Sequence, residues 1–351
     1  MNRMTTGDPH GTSMAHRSDA MSVRDRFHAV MNFQPFDRLP VLEWATWWDL
    51  TLQRWYAEGL PAQVRGHEAL CEHFGLDLYL QDWLAPTRPG LPQPACFGGP
   101  IIRNHDDYTR LLPLLYPRPA VKPERWQRWR QKQRHGAAVL WFSLDGFFWF
   151  PRRLLGVEAH LLAFYDQPDL LHRINQDLAD WMLDAVEELT AIVTPDFMTF
   201  AEDMSYNHGP MLSADMFDQF MRPYYRRIVP RLHERGILAL IDSDGDITTA
   251  APWFAKAELD GVLPLERQAG VDLNVLRRDH PRMRFTGHFD KLTMSRGRAA
   301  MQREFDRLLP VASQGGVLVS CDHQTPPEVG YEQYQAYLAM FREFAFTAAG
   351  R

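Results

Sequence analysis

Cysteine is scarce in this sequence. There are three in 351 residues, and Cys71, Cys96 and Cys321 form no CxxC pair. That excludes a disulfide framework and a cysteine-only zinc site, and Cys71 and Cys96 read as small buried hydrophobes. No apolar run approaches the roughly 18 residues of a membrane-spanning helix, so no membrane partner is expected. There is no surplus of positive charge either. Lys and Arg number 38 against 44 Asp and Glu, a net charge of −6, which argues against nucleic acid as a partner. Neither a GxGxxG loop nor a P-loop occurs, which removes nucleotide-dependent oxidoreductases and NTPases as strong candidates. Residues 1–22 lack both apolar periodicity and the h-region of a secretory signal. They read as a disordered leader, with Met21 as an alternative start, ahead of a single domain over 23–351 in a cytoplasmic protein.

What is present is a rhythm. Short β-prone runs recur at 38–44, 76–82, 137–143, 196–203, 236–242, 260–266, 284–289 and 316–321. Helical periodicity fills most of the gaps, most clearly over 168–192, where Leu171, Ile174, Leu178, Trp181, Met182, Ala185 and Leu189 fall at three- and four-residue steps. Asp166 is its expected cap. The segment 213–235 is a second helix, starting at Ser213 and broken or kinked at Pro223 and Pro230. Strands alternating with helices make a parallel sheet, since parallel neighbours need crossover connections. The number of runs matches a (β/α)8 TIM barrel, preferred here over an open doubly wound sheet. An insertion at 84–136, rich in Pro, Gly and Arg, is expected to form a hairpin and a helical excursion over the barrel mouth.

Barrel enzymes carry their chemistry where strands end, and polar groups fall at nearly every such place. They are Glu43, Asp82, Ser143 and Asp145, then Glu202 with Asp203, then Asp242, Asp244 and Asp246. Glu266, His288, Asp290, Lys291, Cys321, Asp322 and His323 complete the series. A lone carboxylate there is usually a helix cap, but so many converging on one face indicate a site. Asp242-Ser243-Asp244-Gly245-Asp246 is the densest run, and its carboxylates need a cation, a proton or a helix N-terminus nearby. Asp242 and Asp244 facing His323 make either a centre for a divalent metal (Zn, Fe, Mn or Co) or a proton-transfer centre. Lys291 binds an anion or pairs with its neighbour. Arg152 and Arg153 open a helix, where a cation is unfavourable, and so read as binders of carboxylate or phosphate.

Tryptophan is abundant, at 11. Trp44, Trp47, Trp48, Trp83 and Trp149 follow strand ends and suggest an apolar wall for an aromatic or macrocyclic ligand. Trp55, Trp126, Trp129 and Trp181 read as core.

Several segments then form a recognisable series: RDRFHAVMNFQPFDRLPV, GVEAHLLAFYDQPDLLHRI, EDMSYNHGPMLSADMFDQFMRPYYRRI, IDSDGDITTAAPWFAKAELDGVLPLERQAGVDL, TGHFDKLTMSRG and SCDHQTPPEVGYEQYQAYL. In order and spacing the chain resembles the uroporphyrinogen decarboxylase superfamily, which also holds corrinoid and coenzyme M methyltransferases. The resemblance implies one barrel with its site at the mouth. Where the decarboxylases carry an arginine-rich element after the first strand, this sequence reads EWATWWD. Asp82 matches their catalytic aspartate and His323 their late histidine. Where the methyltransferases carry a zinc-binding HxCG motif, it reads Asp242-Ser243-Asp244-Gly245, with His323 at or near the later cysteine. The resemblance therefore implies metal-assisted methyl transfer, linked to a corrinoid or another methyl donor, with Asp242, Asp244 and His323 as metal ligands or proton carriers. Trp44, Trp47, Trp48, Trp83, Trp149, Arg152, Glu202, Glu266, Asp290 and Lys291 would bind a small or macrocyclic substrate, and a corrinoid-binding protein would be the partner. The alternatives are decarboxylation of a tetrapyrrole or smaller aromatic acid through Asp82, and a non-catalytic barrel that binds a corrinoid or tetrapyrrole.

Overall fold

The structure is a computed structural model that describes residues 20–351. The expected leader falls, for residues 1–19, outside the described residues. Among the described residues nine strands form: β1 (Leu78–Leu84), β2 (Ala138–Asp145), β3 (Phe197–Ala201), β4 (Ser205–Tyr206), β5 (Gly209–Pro210), β6 (Leu238–Asp242), β7 (Gly261–Leu263), β8 (Arg284–Phe289) and β9 (Val317–Cys321). Seven of them make one curled parallel sheet in the order β1-β2-β3-β6-β7-β8-β9, while β4 and β5 form a small antiparallel hairpin beside it. Helices connect the parallel strands, and the fold is TIM-barrel-like.

The run expected as the first strand, 38–44, joins no ladder. Pro40 has no N–H to give. Side chains hold the segment in place instead. On one side Val41 N–H donates to Asp77 Oδ2 at 2.9 Å and Asp77 N–H to the Val41 carbonyl at 2.8 Å. On the other, Ser320 Oγ donates to Glu43 Oε2 at 2.8 Å and Trp44 N–H donates to Ser320 Oγ at 3.2 Å. The gap between β9 and β1 is thus filled without an eighth paired strand.

Beneath the sheet lies the helix Val23–Met31, capped by Ser22 Oγ, which accepts from Asp25 N–H at 3.1 Å. It sets Phe27 against Phe197, ring centroids 5.4 Å apart, and plugs the end opposite the mouth. Arg26 reaches both oxygens of Asp37 at 2.8 Å, and Arg38 pairs with Asp77 at 2.7 Å. All four side chains are buried.

The helix read over 168–192 is Pro168–Ile192, with the expected apolar positions buried. Its cap position is Gln167 rather than Asp166, because proline fits the first helical position, where an N–H is dispensable. The second expected helix is two, Ala214–Phe220 and Arg222–His233. Ser213 caps the first as expected, and the break at Met221 precedes Pro223, while Pro230 stays inside the second. The insertion forms no hairpin. Past the end of β1 at Leu84 its β pairing is one isolated bridge, Thr87–Leu115, in a stretch where prolines remove ladder donors. Its helix Pro123–Arg134 is the β1-to-β2 crossover rather than a lid, and Gln133 bonds the Thr194 carbonyl and Asp196 at 2.9 and 2.8 Å. No described helix is long and apolar enough to cross a membrane.

Candidate active site

Strand alternation decides what reaches the mouth. In β1, Gln81 and Trp83 share a face, and both line a cavity of about 310 Å³ at the strand ends with Trp44, Asp203, Asp242 and Asp244. His323 and Gln324 complete its wall and also border a second cavity of about 310 Å³ that adds Trp48, Glu266 and Lys291. A larger space of about 530 Å³ opens beside β1 and shares Trp44 and Gln81 with the mouth. Its one fully enclosed carboxyl, Glu43, is raised to about 7 by burial and is already held by Ser320, Cys321 and Tyr334. The groups free to act are therefore at the mouth.

The run Asp242–Asp246 is shaped by three neighbours. Ser243 N–H donates to the Leu263 carbonyl at 2.9 Å, and Ser243 Oγ accepts from Met204 N–H at 3.2 Å. Gly245 has φ +83°, and a Cβ there would lie 2.7 Å from the backbone of Tyr206, so the β4–β5 hairpin fits only against glycine. Asp246 caps its own turn, accepting from Thr248 N–H at 2.9 Å. Asp203 sits at φ +42°, a strained conformation of the kind held at functional sites.

The Asp242 and Asp244 carboxyls accept no hydrogen bond from any described residue. Burial, then Asp244 and Asp203, push Asp242 well above the carboxylate range. Burial, then Asp203 and Glu266, push Asp244 up to about 7 against the pull of the Lys291 ammonium. Asp203 is raised mainly by burial. Glu266 is anchored by Gly245 N–H at 2.9 Å, and Lys291 Nζ pairs with the buried Asp322 at 3.0 Å. His323 Nδ1 accepts from Gln324 N–H at 2.8 Å. Burial and Lys291 hold its imidazole below the ordinary histidine value, so at neutral pH it is uncharged with its proton on Nε2.

Several expected site residues lie elsewhere. Asp82 is on the opposite face of β1 from Gln81 and Trp83, paired with Arg125 of the crossover helix. Glu202 is fully buried. It accepts from the amides of Phe147, Phe148 and Trp149 at 2.7, 2.7 and 3.1 Å and from the Tyr225 hydroxyl, so it anchors the turn after β2. Trp47 is 5% exposed and packs on Trp55, Phe74 and Tyr334, a core position. Trp149 lies under the Arg152 guanidinium, 4.8 Å from its ring centroid, and lines neither mouth cavity. Arg152 Nη1 donates to the Asp203 carbonyl at 2.9 Å, and Arg153 pairs with Asp145, so both arginines serve protein groups. Asp290 caps the turn Lys291–Arg296 through Leu292 N–H at 3.0 Å. Asp203, one of the strand-end carboxylates, is a lining residue, and so are Gln81 and Gln324, which the sequence reading does not single out. The alternation within LYLQDWL was a signal for Gln81, since it shares its face with Trp83.

Among the described residues, no three His, Cys, Asp or Glu side chains are grouped to hold a metal ion. The set Asp242, Asp244 and His323 lines one cavity but does not fit a metal centre.

No curated protein matches the chain. In fold it is similar to a methyltransferase from Methanosarcina mazei, with a TM-score of 0.62 at 16% identity over 92% of this chain and 99% of that one. It is also similar to a vitamin-B12-independent methionine synthase from Shewanella sp., with a TM-score of 0.41 at 13% identity over 65% of each chain. A putative methionine synthase of that kind from Listeria monocytogenes gives 0.47 at 10% identity over 88% of this chain and 97% of that one. The sequence family described as uroporphyrinogen decarboxylase (URO-D) matches residues 153–344. That span is more than half of the chain and carries Asp203, Asp242, Asp244, Glu266, Lys291 and His323. The chain belongs to the URO-D family.

Proposed function

We propose that this chain is a methyltransferase that moves a methyl group from a small donor to a protic acceptor, a thiol or hydroxyl, at the barrel mouth. The observation that carries the reading is the Asp244 carboxyl, raised to about 7 and free of any described hydrogen-bond donor, in a cavity it shares with His323. A base of that pKa is partly ionised at neutral pH and matched to proton transfer. As the acceptor's proton passes to Asp244, the electron pair left behind forms the bond to the methyl carbon. The bond from that carbon to the donor atom breaks, and its pair leaves with that atom. His323 Nε2–H is the donor available to stabilise charge on the reacting groups. Trp44 and Trp83 supply apolar contact for the substrate.

Two further points support methyl transfer. Asp242-Ser243-Asp244-Gly245 occupies the place of the methyltransferases' HxCG motif, and the Methanosarcina protein of like fold is described as a methyltransferase. The family's methyl transfers involve corrinoids, so a methylated corrinoid, free or on a partner protein, is the alternative methyl donor. The mouth disfavours decarboxylation of a polycarboxylate tetrapyrrole, because three carboxyls and no lysine or arginine line the central cavity.

The test is transfer of labelled methyl groups from methylcobalamin and from methylated amines to a thiol acceptor. Label is expected in the thioether with the wild-type protein and lost in Asp244→Asn. The reading fails if Asp244→Asn keeps its turnover. It also fails if the wild-type protein transfers no label but releases CO2 from uroporphyrinogen.

A further inference from the structure

We infer that the mouth binds an organic cation, a methylated ammonium group seated against Trp83 and Trp44 with Asp242 as its counter-charge. The inference rests on the methyl-transfer reading only in taking this cation as the methyl donor.

The cavity is acidic and aromatic at once. Its wall holds three carboxyls, two tryptophans and no lysine or arginine. The cations nearest to it are committed elsewhere. Lys291 is paired with Asp322, Arg153 with Asp145, and Arg152 with the Asp203 carbonyl and the Trp149 ring. The Asp242 carboxyl lines the cavity, is partly exposed to it, and meets no donor among the described residues. Crowded by Asp244 and Asp203, it ionises most readily where a positive charge offsets them. An anion would be repelled, and a neutral polar ligand would leave the clustered charges uncompensated.

Trp83 adds an independent requirement. It is 46% exposed although it lies at the mouth, and its indole N–H is held by Asp145 Oδ1 at 3.2 Å, which fixes the ring. Trp44 is fixed in the same way, with its indole N–H donated to the Cys321 carbonyl at 2.8 Å. With both N–H groups committed to the protein, these rings offer a ligand apolar contact rather than donors. An alkylated ammonium is the group that aromatic faces and carboxylates bind together. The volume of about 310 Å³ suits a small ligand.

The test uses the full chain and two probes of the same shape, choline and its uncharged isostere 3,3-dimethylbutan-1-ol, titrated by calorimetry. Choline is expected to bind at least about tenfold more tightly than the isostere. Asp242→Asn should weaken choline by about tenfold or more and leave the isostere unchanged. Trp83→Leu, at an exposed position, should weaken choline severalfold with the melting temperature preserved, and it carries the test if Asp242→Asn does not fold. Equal affinity for the two probes overturns the inference. So does a folded wild-type protein that ignores choline, or a folded Asp242→Asn that binds choline as tightly as wild type. Choline binding without any methyl transfer sustains this inference and sinks the proposed function. Methyl transfer from a neutral donor by a protein that ignores choline does the reverse.

Discussion

The Nδ1 atom of His323 accepts the backbone N–H of Gln324 at 2.8 Å, which leaves Nε2 as the nitrogen without a described partner. This bond sets the tautomer of the one imidazole at the mouth and makes it a donor while neutral. Asp244, in the same cavity, is the group that titrates near neutrality.

The division of roles predicts a pH profile. Asp244 acts as a base only when ionised, and its carboxyl is raised to about 7. Turnover should therefore fall as pH drops through about 7, by roughly tenfold per unit once the group is mostly protonated. Glu266 is one of the charges that raises it, so Glu266→Gln should move the inflection to lower pH, by roughly half a unit. A pH–rate profile of both proteins checks this, and an inflection that stays put or rises would contradict the assignment.

Two neighbouring tryptophans should behave oppositely. Trp47 is packed among Trp55, Phe74 and Tyr334, and Trp47→Ala should cost roughly 3–5 kcal/mol of stability. Trp48 is 48% exposed on the second mouth cavity, and Trp48→Ala should change stability by less than about 0.5 kcal/mol. Urea denaturation of the two variants decides it.

That contrast shows what the sequence made legible. The parallel α/β order and the long amphipathic helix were readable because periodicity and burial coincide, as at Leu171, Ile174 and Leu178. The cluster of Asp242, Asp244 and His323 was readable because barrel strands end together at one face. The missing pairing of 38–44 was harder to foresee, because an apolar run with one proline looks like a strand until its hydrogen-bond partners prove to be Asp77 and Ser320. Strand-end position did not separate Asp82 from Gln81 or Trp47 from Trp48. Adjacent residues at a strand end or turn face opposite ways, and which way depends on neighbours distant in the chain.

Asp82 offers the sharpest check on that point. It faces outward and is paired with Arg125, whose side chain is substantially exposed. Asp82→Asn should alter stability by less than about 1 kcal/mol, as expected for a partly exposed ion pair, and leave both methyl transfer and choline affinity unchanged. Loss of turnover in a folded Asp82→Asn protein would return the catalytic role to β1 and favour decarboxylation.

The ion network under the barrel sets the acid limit of the fold. Arg26 engages both oxygens of Asp37, and Met21 and Ala20 add backbone N–H bonds to the same carboxylate. Although burial pushes the other way, these partners hold the Asp37 carboxyl well below its usual range. A depressed folded-state pKa contributes stability above the ordinary carboxylate value, and that contribution is lost as pH falls through the folded value. Asp37→Asn removes the charge while leaving Arg26 buried, so it should cost roughly 3–5 kcal/mol at neutral pH. The same substitution should flatten the acid limb of stability, because the ionisation that fails in acid is already gone. The gap between thermal melts of wild type and Asp37→Asn, constant near neutrality, should therefore narrow between about pH 4 and pH 3 without closing. A gap that stays constant over that range would place the acid sensitivity elsewhere.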